Sequence, residues 1–190
     1  MDYQQFQNKW LGGRVDIDKL YGYQCADLVK QYMLETQGIP NGAYGNAVDY
    51  WYKTHHVVSS KYDKISGSNV QRGDIVVLKG INGNPYGHIG IATGNMNLLS
   101  VQILEQNGAT GHGSGVGGDA IRLRYVPRWR VVGLLRAKPT VQPVYYTVKS
   151  GDTVNAICRL YGISLDRFKE LNPSVANVNL IYVGQKFRVR

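Results

Sequence analysis

The sequence predicts an α+β fold followed by a second, smaller unit, and three observations carry that prediction. Ahead of Ala137, helical periodicity is confined to the part of the chain before Gly73. Alternating, strand-like apolar runs take over from Gly73 onward. A short seam from Ala137 to Val144, with prolines at 139 and 143, sets off a last stretch that reads strand, helix, helix, strand.

The elements follow in order. Residues 3–11 and 24–37 have helical spacing, the second closed by Gly38 and Pro40, and a short helical piece is predicted near 45–54. Strands are predicted at Gly73–Lys79, Gly87–Thr93, Leu99–Gln106, Ala120–Val126 and Val131–Arg136, an antiparallel sheet after the helices. The stretch Gly108–Gly118 is too rich in glycine to hold one shape cheaply and is expected to be a mobile hairpin loop. No helix follows it, which argues against a phosphate loop. Past the seam, Tyr146–Val148 is a strand. Asp152 or Thr153 caps a helix from Val154 to Tyr161, and Ser164 or Asp166 starts another through Leu171. The segments Leu180–Val183 and Lys186–Val189 close with a strand.

The chain of 190 residues is 43% hydrophobic with 3 Trp, enough for packed cores rather than disorder. Its 14 Tyr against 3 Phe supply flat faces with a polar handle, which suits sugar surfaces as well as cores. Net charge is +9, a balance that attracts anionic surfaces. Arg122, Arg124, Arg128 and Arg130 alternate along a strand and turn, but no nucleic-acid motif accompanies them, and no nucleic-acid partner is expected. Two cysteines do not make a disulfide framework. The polar opening Asp2–Gln7 predicts neither a signal peptide nor membrane insertion.

Chemistry concentrates around Cys25, which stands where a polar loop becomes a helix. The helix dipole there favours the nucleophilic thiolate. Among the histidines, His55 and His56 adjoin without metal spacing, and His112 sits in the glycine loop. His88 opens an alternating strand whose face, His88, Gly90 and Ala92, leaves room for a substrate or for the helix carrying Cys25. Glu105 and Asn107 are two apart on a strand and share a face, so either could accept the second ring N–H of His88. Asp16, Asp18 and Asp27 crowd the cysteine segment. Oxygen ligands at such spacing suit a hard cation, although Asp27 could equally cap its helix while Asp16 and Asp18 are solvated.

These blocks, Tyr21-Gly-Tyr-Gln-Cys-Ala-Asp-Leu-Val, Gly73-Asp-Ile-Val-Val, Gly87-His-Ile-Gly-Ile-Ala and Glu105-Gln-Asn, resemble the CHAP domain over residues 5–136. The resemblance implies a papain-like (NlpC/P60-type) cysteine amidase or peptidase. Cys25 would be its nucleophile, His88 its general base and then acid, Glu105 the orienting carboxylate and Asn107 a supporting polar residue. The Cys25 backbone N–H would be an oxyanion donor. Tyr23 holds the place of a tyrosine that lines the site in related enzymes. The D-x-D…C-x-D arrangement matches a structural calcium site of some phage members, with Asp16, Asp18 and Asp27 as carboxylate ligands and Leu20 as a backbone ligand.

The segment from 145 resembles LysM, a βααβ carbohydrate-binding module, on Tyr146-Thr-Val-Lys-Ser-Gly-Asp-Thr-Val, Tyr161-Gly-Ile-Ser, Leu171-Asn-Pro and Asn179-Leu-Ile-Tyr-Val-Gly-Gln-Lys. It implies binding of N-acetylglucosamine-containing glycan between two loops, through Gly151, Asp152, Thr153 and Val154 on one and Leu180, Ile181 and Tyr182 on the other. Cys158 is read as core packing. The expected organisation is a catalytic domain at 1–136, a linker at 137–144 and a wall-binding module at 145–190. The expected function is that of a monomeric, phage-type endolysin acting on peptidoglycan, held in the host cytoplasm until a holin releases it. The alternatives are a bacterial wall-remodelling hydrolase and an inactive wall-binding or phage structural protein.

Overall fold

A computed structural model describes residues 1–53, 55–67, 69–81, 83–108, 118–139 and 143–190. The central part of the glycine-rich stretch, with His112, and the middle of the seam therefore lie outside the described residues. Two compact units result, Met1–Lys138 and Pro139–Arg190.

The first unit opens with α1 (Tyr3–Trp10), started by a reciprocal cap. The Gln5 N–H donates to Asp2 Oδ1 at 2.9 Å, and the Asp2 N–H donates to Gln5 Oε1 at 3.0 Å. Its Phe6 is fully buried, edge-on to Tyr32 of α2 (Cys25–Gln37) at 5.0 Å. On α2, Leu28, Val29, Tyr32 and Met33 recur at helical spacing and are all buried. Burying each is worth about 1.5–3 kcal/mol. Gly38 ends the helix at φ 68°, a left-handed turn open to glycine at little cost.

Two short helices follow, α3 (Asp49–Tyr52) and α4 (His56–Lys61). The helix predicted near 45–54 is thus only four residues long. Six strands then make an antiparallel sheet: β1 (Tyr62–Ile65), β2 (Ile75–Leu78), β3 (His88–Met96), β4 (Ser100–Glu105), β5 (Arg122–Pro127) and β6 (Val131–Ala137). Their spatial order is β1-β6-β2-β3-β4-β5, and a 3-10 turn at Arg128–Arg130 joins β5 to β6. β1 was not expected. It is four residues long, two of them exposed, so neither length nor alternation marks it.

The sheet parts two apolar clusters. Ile75, Val77, Ile89, Ile91 and Leu104 join α1 and α2 in one, while Val76, Leu78, Ala92, Ile103 and Val126 form the other. The space beside Gly90 is therefore not left for α2. A Cβ there would stand 2.8 Å from Ile103 Cδ1, and α2 lies against the Ile89 and Ile91 face instead. Two registers fix the end of the sheet that matters. Leu78 faces His88, and Glu105 faces Arg122.

The second unit pairs β7 (Tyr145–Thr147) with β8 (Lys186–Arg188), and α5 (Val154–Tyr161) and α6 (Leu165–Leu171) lie between them in sequence. Thr153 and Ser164 cap the two helices by accepting from Ala156 N–H and Arg167 N–H. The core is Val148, Val154, Ile157, Cys158, Phe168, Phe187 and Val189. Leu180–Val183 is turn rather than strand: the Gln185 side chain accepts from the Tyr182 amide and closes it. Among the described residues, no helix is long and apolar enough to cross a membrane.

Candidate active site

Cys25 is the first residue of α2 and is partly exposed. Its N–H is one of the amides that helix geometry leaves without an intrahelical acceptor. Gln24 precedes it, with its N–H donating to Asp27 Oδ2 at 2.9 Å, so Asp27 caps the helix that begins at Cys25. Gln106, which sequence reasoning passed over, pins this start from the end of β4. It is fully buried, and its Nε2 donates to the Val15 carbonyl at 2.7 Å and to the Gln24 carbonyl at 2.9 Å.

His88, at the first residue of β3, is buried and interacts with the Cys25 side chain. Its Nε2 meets Glu105 Oε2 at 2.7 Å, which leaves Nδ1 for the thiol. Burial disfavours the imidazolium, but Cys25 and Glu105 outweigh it and raise the His88 pKa. Burial likewise opposes the Glu105 carboxylate, yet His88 and Arg124 hold it well below the usual range. Glu105 is fully buried and also ion-paired with Arg122 at 3.3 Å and Arg124 at 2.6 Å. The alternating arginines are thus divided, two of them turned to this carboxylate.

Of the two expected partners for His88, Glu105 takes the ring nitrogen. Asn107 lies past the end of β4 with φ 55°, a left-handed turn that breaks the strand alternation. Its side chain abuts Gly118. Tyr23 packs beneath Arg14, 5.8 Å from ring centroid to guanidinium, and Arg14 Nε donates to the Gly118 carbonyl at 3.1 Å.

The three aspartates converge. Asp16, Asp18 and Asp27 each offer an oxygen within 4.8 Å of the others, and Asp16 Oδ1 is buried with no hydrogen-bond donor. This donor set fits a hard cation. Lys30, unforeseen from sequence, sends a buried ammonium into the cluster, at 2.5 Å from Asp18 Oδ2 and 3.8 Å from Asp27 Oδ1. Burial, with the charges of Asp18 and Asp16, pushes the Asp27 carboxyl up to about 6, although the Gln24 amide and Lys30 act against it. Leu20 donates its N–H to Asp18 Oδ1 at 2.9 Å, and its side chain is exposed. The connecting loop holds Lys19 and Tyr21 at φ 56° and 63°, a conformation costing about 1 kcal/mol or more per non-glycine residue.

In the second unit both expected glycan loops leave the same end of the β7–β8 ribbon, where Val148 N–H donates to the Gln185 carbonyl at 2.8 Å. Gly151, Leu180 and Tyr182 are exposed. Val154 is buried in the core and offers no side chain to a ligand, a correction to its expected place. Ile181 packs against the same core. Asp152 accepts from Lys149 N–H and Tyr146 O–H at 2.7 and 2.8 Å, which shapes the first loop. Cys158 is buried, and burial pushes its thiol pKa up.

Residues 16–107 match the CHAP domain family and residues 146–190 the LysM domain family. Endolysin PlyTW of Staphylococcus phage Twort is 35% identical over 95 residues, which is 48% of this chain and 20% of that protein. Endolysin LysK of Staphylococcus phage K is 30% identical over 95 residues, 50% of this chain and 19% of that one. The chain thus spans about a fifth of the length of these two relatives. Among solved structures, the wild-type endolysin LysIME-EF1 superposes with a TM-score of 0.62 at 20% identity, over 94% of this chain and 87% of that one, a likeness of fold. The chain carries a CHAP domain followed by a LysM domain.

Proposed function

We propose that the protein is a peptidoglycan hydrolase of the endolysin kind, cutting an amide or peptide bond with Cys25 while the LysM domain holds it to glycan. The observation that carries this reading is Cys25 at a helix start, beside a buried His88 whose Nε2 meets Glu105 at 2.7 Å.

The chemistry follows from these atoms. Cys25 Sγ, as thiolate, attacks the carbonyl carbon, and the oxyanion that forms lies at the α2 start, where the Cys25 N–H can donate. The His88 imidazolium gives its Nδ1 proton to the leaving amine as the C–N bond breaks, producing a thioester. Neutral His88 then takes a proton from water, the hydroxide adds to the thioester, and Cys25 leaves as thiolate beside a re-formed imidazolium. Glu105 stabilises that imidazolium and fixes its orientation throughout.

Asp16, Asp18 and Asp27, with the Leu20 carbonyl, would hold a calcium ion. It would neutralise the cluster and order the loop before Cys25. The LysM domain contributes local concentration at the wall.

Digestion of purified peptidoglycan followed by mass spectrometry tests the reading. Cys25→Ala is expected to bind walls and release nothing, and release by that variant would sink the cysteine mechanism. A new free lactyl end identifies an amidase, and a new amino terminus within the peptide identifies an endopeptidase.

A further inference from the structure

The buried carboxylate behind His88 carries more positive charge than one imidazolium requires. Glu105 Oε2 receives His88 Nε2 at 2.7 Å and Arg124 Nη2 at 2.8 Å. Glu105 Oε1 faces Arg124 Nε at 2.6 Å and Arg122 Nε and Nη2 at 3.3 Å each. Arg124 therefore donates one hydrogen bond, from Nη2 to Oε2, with its Nε ion-paired to Oε1, while Arg122 donates two to Oε1. The strand register places Arg122 directly opposite Glu105, and Arg124 two residues on shares its face.

We propose that Arg124 and Arg122 are positioning residues that share the charge of Glu105 with His88, and so set the pH above which His88 gives up its imidazolium proton. The proposal rests on the reading of Cys25 and His88 as nucleophile and base.

The reasoning is electrostatic. A fully buried carboxylate whose single partner was His88 would direct its whole charge at the ring and bind the proton so tightly that transfer to a leaving amine would suffer. Two guanidiniums draw off part of that field and keep Glu105 ionised. Every charged group facing the carboxylate acts in this balance: His88 from β3 with Cys25 behind it, Arg122 and Arg124 from β5, and the buried Arg130 from the 3-10 turn, whose charge reaches Arg124 and Glu105. Asp119, 3.6 Å from Arg122, offsets some of that residue's charge, so Arg124 carries the larger share.

Removing a nearby cation stabilises the imidazolium, so the alkaline limb of the pH profile moves upward. Turnover of purified peptidoglycan is to be measured against pH for the wild type, Arg124→Met, Arg124→Lys and Arg122→Gln. Arg124→Met is expected to shift that limb up by about one pH unit, and Arg122→Gln by about half of that. Arg124→Lys, which keeps the charge, is expected to hold the wild-type position.

Should Arg124→Met fold poorly, Arg122→Gln still decides, since Arg122 is 39% exposed and Arg124 remains on the carboxylate. A lower rate or melting temperature with the alkaline limb unmoved would make the arginines merely structural and overturn the proposal. Activity surviving in Cys25→Ala would instead overturn the reading beneath it, and the proposal with it.

Discussion

Gln106 and Val15, 91 residues apart, exchange two hydrogen bonds of 2.7 Å, amide to side-chain oxygen and side-chain nitrogen to carbonyl. The same Nε2 reaches the Gln24 carbonyl at 2.9 Å. One buried amide thus ties the entry of the aspartate loop and the residue before Cys25 to the strand that carries Glu105. Gln106→Leu would leave three backbone groups without this partner in a buried setting. We expect a loss of about 2–4 kcal/mol in chemical denaturation. At temperatures where the variant is folded, we also expect a fall in kcat larger than any change in wall binding. Full kcat in a folded Gln106→Leu protein would show that the tie is dispensable for the site.

Glu105 and Asn107 are separable by the same assay. Glu105→Gln removes the charge that supports the imidazolium and is expected to lower kcat by about a hundredfold or more. Asn107→Ala touches neither ring nitrogen of His88 and is expected to lower it less than about tenfold. Equal losses would mean that Asn107 joins the reacting groups through substrate.

How much of this could be read beforehand depends on the range of each interaction. The helix starting at Cys25, the strands around Ile75, Ile89 and Leu104 and the capped helices at Thr153 and Ser164 are legible because period and caps are local signals. The edge strand at Tyr62 is not, since four half-exposed residues acquire their conformation by pairing with Leu134–Ala137. The roles of Gln106, Lys30 and Arg124 were invisible for a related reason. Each is an ordinary polar residue until strand register or helix placement sets it beside a partner distant in the chain. Asn107 lies past Glu105, the last residue of β4, and is itself left-handed, so strand alternation does not set its face.

The aspartate cluster makes a prediction of pH as well as metal. Because burial pushes Asp27 up to about 6, its contribution to stability is full below about pH 3.9, its unfolded value, and is lost as pH rises through 6. In EDTA, melting temperature is therefore expected to fall between pH 4 and pH 7 from this group. Asp27→Asn, which can still accept from the Gln24 amide, is expected to flatten that fall and to abolish any rise caused by calcium. An unchanged slope in Asp27→Asn would assign the titration elsewhere.

Lys30 competes for the same oxygens. Its ammonium lies against Asp18 and near Asp27, so a bound cation and Lys30 repel one another. In Lys30→Met, calorimetric titration is expected to show calcium binding about tenfold tighter, with a lower melting temperature when calcium is withheld. Weaker binding in that variant would mean that Lys30 supports the loop rather than opposing the ion.

The LysM domain separates binding from folding in two neighbouring loops. Tyr182 is 59% exposed, and its ring makes no aromatic contact among the described residues, so Tyr182→Ser is expected to weaken sedimentation with purified peptidoglycan about tenfold and leave melting unchanged. Asp152 instead holds its loop by accepting from Lys149 N–H and Tyr146 O–H. Asp152→Ala is expected to lower both melting temperature and wall binding, because the loop beside Gly151 loses its shape. Tyr182→Ser that binds walls as the wild type does would move the glycan contact away from that loop. The concavity of about 380 Å³ lined by Asn172, Val175, Asn177, Leu180 and Lys186 would then be the next place to substitute, beginning with Asn177→Ala.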